Sequence, residues 1–530
     1  MPQIRSYYLP VLLVIVLTVS FFRLGAWTLF DVDEAVFAEA TKEMVTSGDW
    51  LTPTYNGVNR YDKPIFFYWL MAASYKTFGI NEFGARFPSA LAGVLLCIGL
   101  FTFMKRETDA GQASYAVGAF LLSLYFVMYS HAAVTDMTLT LFITFSLLSF
   151  YRSLQYASAS DRRARLWRYG FYSFSSLAFL TKGLIGIIFP FGIAGLYLLV
   201  TEGVGGLGKI VSPGGTALFL LISGPWYAAE TAANGREFID QFFIKHHFRR
   251  FTGVISGHEG PWYYYLPVLL LGLLPWIVYL PGGLAEAWRD LKHSRQQTRP
   301  RHSIGLFALL WFSCILLFFS LSTTKLPNYI LPAIPAAVIL ISFGMTRQSE
   351  RQIVFSKYFM AAASLLMGVG ALAGGRYLAR FGLTDTGWIW YLAGILFAGA
   401  ALNTAGALKK KSFHEAGAVL MLSALLLLSF RALPAANNYL QGTLHRFSIY
   451  AGANLGEKDD LIVYRVNKPS IVFYSGHRVK SAGDPAELDR LLQGDTKTVI
   501  ITKSSEVDEL QRKGLALVDK DPFYALLERK

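Results

Sequence analysis

Apolar runs of about 17–22 residues recur along most of the chain, each broken by a polar loop, which is the spacing of helices that cross a bilayer. The pattern predicts about thirteen such helices, at 7–26, 86–104, 111–130, 137–152, 167–180, 183–200, 215–231, 262–283, 304–321, 329–345, 358–375, 387–408 and 414–431. Two polar stretches, 27–85 and 232–261, are too long to be simple turns. After about residue 440 the pattern changes to short apolar segments at 461–466, 471–474 and 498–502, which read as strands. Between them Asp484-Pro485-Ala486-Glu487 opens a helix, with Asp as N-cap, Pro at the first position and Glu at the third, and 505–513 reads as a second helix. The predicted fold class is an all-α polytopic membrane domain over 1–435, followed by a small α/β domain over 440–530.

Composition sharpens this picture. Of 530 residues, 53% are hydrophobic and 16% charged, against about 25% charged in a soluble protein. The net charge of +14 forms no single basic stripe, so nucleic acid is not an expected partner. The cations gather in alternate loops instead, with clusters at 152–168, 289–301 and 409–411. By the positive-inside rule those loops and the N-terminus are cytoplasmic, and the two long loops and the C-terminal domain lie on the outer side. The first apolar run ends in Phe21-Phe22-Arg23 rather than in small residues, so it reads as an uncleaved transmembrane helix. Cys97 and Cys314 fall within apolar helices and read as buried thiols.

Candidate chemistry is densest in the first outer loop. Asp31, Asp33 and Glu34 lie within four residues of one another at a membrane exit. Asp31 with Glu34 reads as a capping box, and Asp33 as a positioned base or a metal-facing carboxylate. Further on, Tyr61-Asp62-Lys63-Pro64 sets a cation among aromatic residues at headgroup level, where it suits either a lipid-borne phosphate or a snorkelling anchor. Asp136 reads equally as a helix cap and as a catalytic group, and Lys182 and Lys325 equally as interface anchors and as ligands.

The ordered motifs Asp33-Glu34, Ser47-Gly48-Asp49-Trp50, Tyr61-Asp62-Lys63-Pro64, Val134-Thr135-Asp136, Leu180-Thr181-Lys182-Gly183, Gly224-Pro225-Trp226-Tyr227, Arg249-Arg250-Phe251 and Lys325-Leu326-Pro327-Asn328-Tyr329 span roughly residues 25–340. In this order and spacing they resemble the bacterial protein-O-mannosyltransferase-like glycosyltransferases of GT-C fold, and within them the branch that transfers 4-amino-4-deoxy-L-arabinose to lipid A. The resemblance implies an inverting glycosyltransferase of the bacterial inner membrane, with its active site facing the periplasm. Its donor would be a sugar on undecaprenyl phosphate and its acceptor lipid A or another envelope molecule. It implies Asp33 and Asp136 as catalytic acids, Lys63 and Arg250 as ligands of the donor phosphate, and Tyr329 as lining the lipid-phosphate cavity; Lys325, on the same side of the bilayer, is a further candidate for the phosphate. Glu34, Asp62, Lys182 and Arg249 would support them. Asp62 stands where the arabinose enzymes carry Glu, which leaves its charge-pairing role open.

Several other readings compete. A protein O-mannosyltransferase is the nearest enzymatic alternative. A transporter or flippase would place its charges near the bilayer midplane, often in repeated halves, and no repeat is visible. Gly203-Val204-Gly205-Gly206-Leu207-Gly208-Lys209-Ile210 nearly matches a phosphate-binding loop, but Ile210 replaces the required Ser or Thr, so no nucleotide is expected. No cofactor is required by the sequence; a divalent cation is left open, with Asp62, His247 and His258 as candidate ligands.

Overall fold

The computed structural model describes residues 8–156, 161–242, 259–294, 302–346, 350–380, 386–409, 414–494 and 496–529. The chain forms two compact units. The first comprises Met1–Phe22, Tyr61–Phe67 and Phe87–Ser429, and the second Arg23–Arg60, Tyr68–Arg86 and Phe430–Lys530.

Among the described residues, seven helices are long and apolar enough to cross a membrane: Glu82–Glu107, Ile185–Glu202, Ile304–Leu321, Pro327–Thr346, Glu350–Tyr377, Trp388–Leu408 and Val419–Asn454. Two bent pairs raise the number to nine. Ala110–Leu121 meets Leu124–Ser130 at 62°, where the Ser123 hydroxyl accepts from the Phe126 N–H and so starts a new helix. Tyr265–Leu273 meets Trp276–Lys292 at 109°, across Leu274-Pro275. The segment predicted as one span at 262–283 is therefore a sharp corner.

The criterion does not reach the thirteen spans predicted from periodicity. Asp136–Ser153, Arg162–Lys182 and Pro213–Phe238 are helices at predicted positions, yet too polar to qualify. Three of their serines bond from helix to helix. The Ser146 hydroxyl donates to Phe171 O at 2.8 Å and lies 2.8 Å from the Ser175 hydroxyl, while Ser176 donates to Phe219 O at 2.8 Å. Small polar residues let these helices approach closely and leave few donors facing lipid. Elsewhere in this unit Gly283 and Gly344 join Leu280–Ser294 to Ile334–Thr346 backbone to backbone; a Cβ at Gly283 would collide with the Leu340 carbonyl. The glycine-rich stretch forms the 3-10 turn Val204–Lys209, with Lys209 paired to Glu202 at 2.6 Å.

In the second unit β1 (Thr54–Tyr55) and β2 (Val58–Asn59) form a short hairpin. β3 (Asp460–Tyr464), β4 (Val479–Ala482), β5 (Thr498–Lys503), β6 (Ala516–Lys520) and β7 (Tyr524–Arg529) form one sheet in the order β4-β3-β5-β7-β6. β3 is parallel to β4 and β5, and β7 is antiparallel to β5 and β6. β3 and β5 are nearly continuous apolar runs because both faces are covered. Leu461, Val463, Val499 and Ile501 pack with Leu444, Phe447 and Ala451 of the helix Leu433–Asn454, while Ile462, Tyr464 and Ile500 pack with Leu488 and Leu510 on the other side. The helix Pro485–Leu491 carries the predicted cap: Asp484 accepts from the Glu487 N–H and Glu487 from the Gly483 N–H, both at 2.9 Å. Residues 471–474, predicted as a strand, lie in the helix Ser470–Ser475, which forms part of the crossover from β3 to its parallel neighbour β4.

Candidate active site

In the first unit Asp136 is the first residue of the helix Asp136–Ser153 and is buried. Lys182 is the last residue of Arg162–Lys182, where Gly183 at φ 73° breaks the helix. An acid at a helix N-terminus and a cation at a C-terminus each complement the backbone dipole. Here the two charges also meet, with Lys182 Nζ 2.5 Å from Asp136 Oδ1. The same ammonium stands 5.6 Å from the centre of the Tyr329 ring, and Tyr329 packs on Phe319 at 5.1 Å. The structure thus gathers an acid, a cation and a phenol from three separated segments at adjoining helix ends.

The segment carrying Asp62 and Lys63 is pinned at both ends by aromatic contacts. Tyr61 meets Phe238 edge-on at 5.9 Å, and Phe66 meets Phe142 edge-on at 5.6 Å. Phe142 lies on the helix that Asp136 opens. Lys63 is half-buried; its ammonium donates to Asp62 O at 3.0 Å and lies 4.0 Å from the Asp62 carboxylate.

In the second unit the three clustered acids have three different fates. Asp31 accepts from the Ser470 N–H at 2.8 Å and from its hydroxyl at 2.6 Å. Burial raises the Asp31 carboxyl above its ordinary range, and the two bonds from Ser470 oppose that shift. Glu34 is buried against Arg86, accepting from Nε and Nη2 at 2.9 Å each, and reaches back to the Phe30 N–H at 2.9 Å. No capping box joins Asp31 to Glu34, because each carboxylate is claimed by a residue distant in sequence. Asp33 opens the helix Asp33–Ser47, is exposed, and has no hydrogen-bond or ion-pair partner among the described residues.

A family model described as dolichyl-phosphate-mannose-protein mannosyltransferase matches residues 62–227. An undecaprenyl phosphate-alpha-4-amino-4-deoxy-L-arabinose arabinosyl transferase from Aeromonas salmonicida is 30% identical over 383 residues, 71% of this chain and 67% of that protein. The chain belongs to the protein-O-mannosyltransferase-like glycosyltransferase family. A second family member, the arabinosyl transferase 2 of Pseudomonas fluorescens, is 32% identical over 382 residues, but the match spans only 62% of that relative's length. The crystal structure of ArnT from Cupriavidus metallidurans bound to undecaprenyl phosphate shares the family fold, with a TM-score of 0.83 at 24% identity over 99% of this chain and 98% of that one.

Of the remaining candidate residues, Arg249, Arg250, His247 and His258 lie outside the described residues. Among those described, no three His, Cys, Asp or Glu side chains gather as metal ligands. Lys325 is buried, and its ammonium donates to Ser320 O at 2.9 Å, to Phe319 O at 3.4 Å and to Ser322 O. Those carbonyls end the helix Ile304–Leu321, so Lys325 caps that helix C-terminus. Lys325→Ala is expected to lose about 1.5–3 kcal/mol, the usual worth of a charge-assisted hydrogen bond, seen as a lower melting temperature in detergent. An unchanged melting temperature with lost activity would return Lys325 to the ligand role.

Sequence reasoning missed Arg86, which is wholly buried. The available signal was an arginine in the first turns of the long apolar helix Glu82–Glu107, where an unpaired charge is costly.

Proposed function

We propose that this chain moves a sugar from undecaprenyl phosphate to lipid A or another envelope acceptor at the periplasmic side of a bacterial inner membrane, with inversion at the transferred carbon. The observation that carries this reading is the likeness to arabinosyl transferases over 71% of the chain. In the proposed reaction the bond between sugar C1 and the lipid phosphate oxygen breaks. The phosphate keeps the electron pair, and an acceptor oxygen attacks C1 from the opposite face. Lys63, with Arg250 in the role the family implies, would stabilise the departing phosphate. Lys182, Asp136 and Tyr329 would shape the adjoining wall, with the ion pair fixing both charges. Asp33 would take the proton if the acceptor is a hydroxyl, and would orient the sugar if it is a phosphate.

The mannosyltransferase model over residues 62–227 favours a second reading, in which the acceptor is a protein hydroxyl. Mass spectrometry of envelope glycolipids from cells with and without the gene distinguishes the two. A pentosamine increment on lipid A that disappears with the gene supports the first reading. Unchanged glycolipids together with loss of a hexose from envelope proteins support the second, and no change in either class removes both.

A further inference from the structure

We propose that the C-terminal α/β domain, together with the helix Leu433–Asn454 packed on its sheet, positions the Asp33 loop, with Asn437, Ser470 and Tyr474 as positioning residues; this rests on the glycosyl-transfer reading above. The stretch from Leu24 to the start of the helix at Asp33 is irregular, so most of its backbone polar groups must find partners outside regular structure. Side chains from distant parts of the second unit supply them. Asn437 Oδ1 accepts from the Thr28 N–H at 3.2 Å and from its hydroxyl at 2.8 Å, and Asn437 Nδ2 donates to Thr28 O at 2.9 Å. The Leu29 N–H donates to the Tyr474 hydroxyl at 2.8 Å, which itself donates to Glu82 at 2.9 Å. Ser470 holds Asp31 through two bonds, and the Gln441 amide, turned with its nitrogen towards Asp31, adds a donor at 2.9 Å.

From another direction Arg86 donates to Leu24 O, Trp27 O and Thr28 O at 2.8–3.1 Å. Thr28, Leu29, Phe30, Asp31 and Glu34 are all tied, while Asp33 between them has no hydrogen-bond or ion-pair partner among the described residues. This is the arrangement expected when neighbouring residues preorganise one reactive group. Such a group must be held within about 0.5 Å of its working position, and a shift of about 1 Å can cost a hundredfold in rate. The partners come from the helix Leu433–Asn454 and the helix Ser470–Ser475, both packed on the face of the sheet formed by Leu461, Val463, Val499 and Ile501. The sheet is thus the base on which the Asp33 loop is set.

The test uses the full chain in proteoliposomes with undecaprenyl phosphate-4-amino-4-deoxy-L-arabinose and lipid A. Ser470→Ala and Tyr474→Phe each delete one hydroxyl. Each is expected to lower kcat about 10–100-fold, with KM for the donor within about threefold of the parent and a melting temperature near the parent's. Ser470→Thr is expected to restore most of the loss. Hydrogen exchange should quicken at Leu29 in Tyr474→Phe. If Ser470→Ala does not fold, Tyr474→Phe, which keeps the ring packed on His445 at 4.5 Å, decides the matter. A parent that transfers sugar and variants with unchanged kcat overturn this proposal alone. A parent inactive with this donor overturns the functional reading and the proposal together.

Discussion

Replacing Arg86 by alanine is expected to cost about 3–5 kcal/mol, the range for stranding one half of a buried ion pair. The guanidinium is wholly buried, and its donors reach both oxygens of Glu34 and three backbone carbonyls. Alanine would leave the Glu34 carboxylate buried without its cation and three carbonyls short of a donor. Lysine would keep the charge but lose the planar fork that grips both carboxylate oxygens. The charge was costly to bury in the first place. A double change, Arg86→Met with Glu34→Leu, should therefore recover a large part of the lost stability, though not the hydrogen bonds to residues 24–28. Thermal melting in detergent and hydrogen exchange over 24–34 measure both effects. Arg86→Ala melting within a degree of the parent would show that the pair contributes little.

How much of this was legible in the sequence depends on the range of the interaction that decides each feature. The cap at Asp484 was readable because all its partners lie within four residues. The helix Ser470–Ser475 was not: Ile471-Val472-Phe473-Tyr474 has strand-forming side chains, but its place between two parallel strands requires a crossover, and context overrode propensity. β7, with Tyr524-Ala525-Leu526-Leu527-Glu528-Arg529, carries good helix formers and becomes a strand only because β5 and β6 pair with it on either side. The same distinction holds at the site. That Asp31, Asp33 and Glu34 were too many acids for one cap could be seen in the sequence. Which of them was open could not, since the competing partners are Ser470 and Arg86, 439 and 52 residues away. Asp136 and Lys182 were each ambiguous alone; their meeting at 2.5 Å depends on two helices packing through Ser146 and Ser175.

Asp33→Ala and Lys63→Ala are each expected to lower sugar transfer by at least about a hundredfold, the scale for losing a general base or one stabilising donor. Membrane insertion and melting temperature should stay close to the parent's for Asp33→Ala. Its carboxylate is exposed and has no partner among the described residues, so its removal breaks no hydrogen bond described there. Transfer of radiolabelled sugar into lipid A by purified protein in proteoliposomes provides the rate, and full activity in either variant removes that residue from the mechanism. Asp33→Asn adds a finer comparison. An amide keeps the shape and can orient a sugar but cannot accept a proton at neutral pH. If the acceptor is a hydroxyl, Asn at this position should be as inactive as Ala. If the acceptor is a phosphate, which has no proton to lose, Asn should retain a substantial part of the rate. The ratio of the two variants thus reports on the acceptor's chemistry without its being identified beforehand.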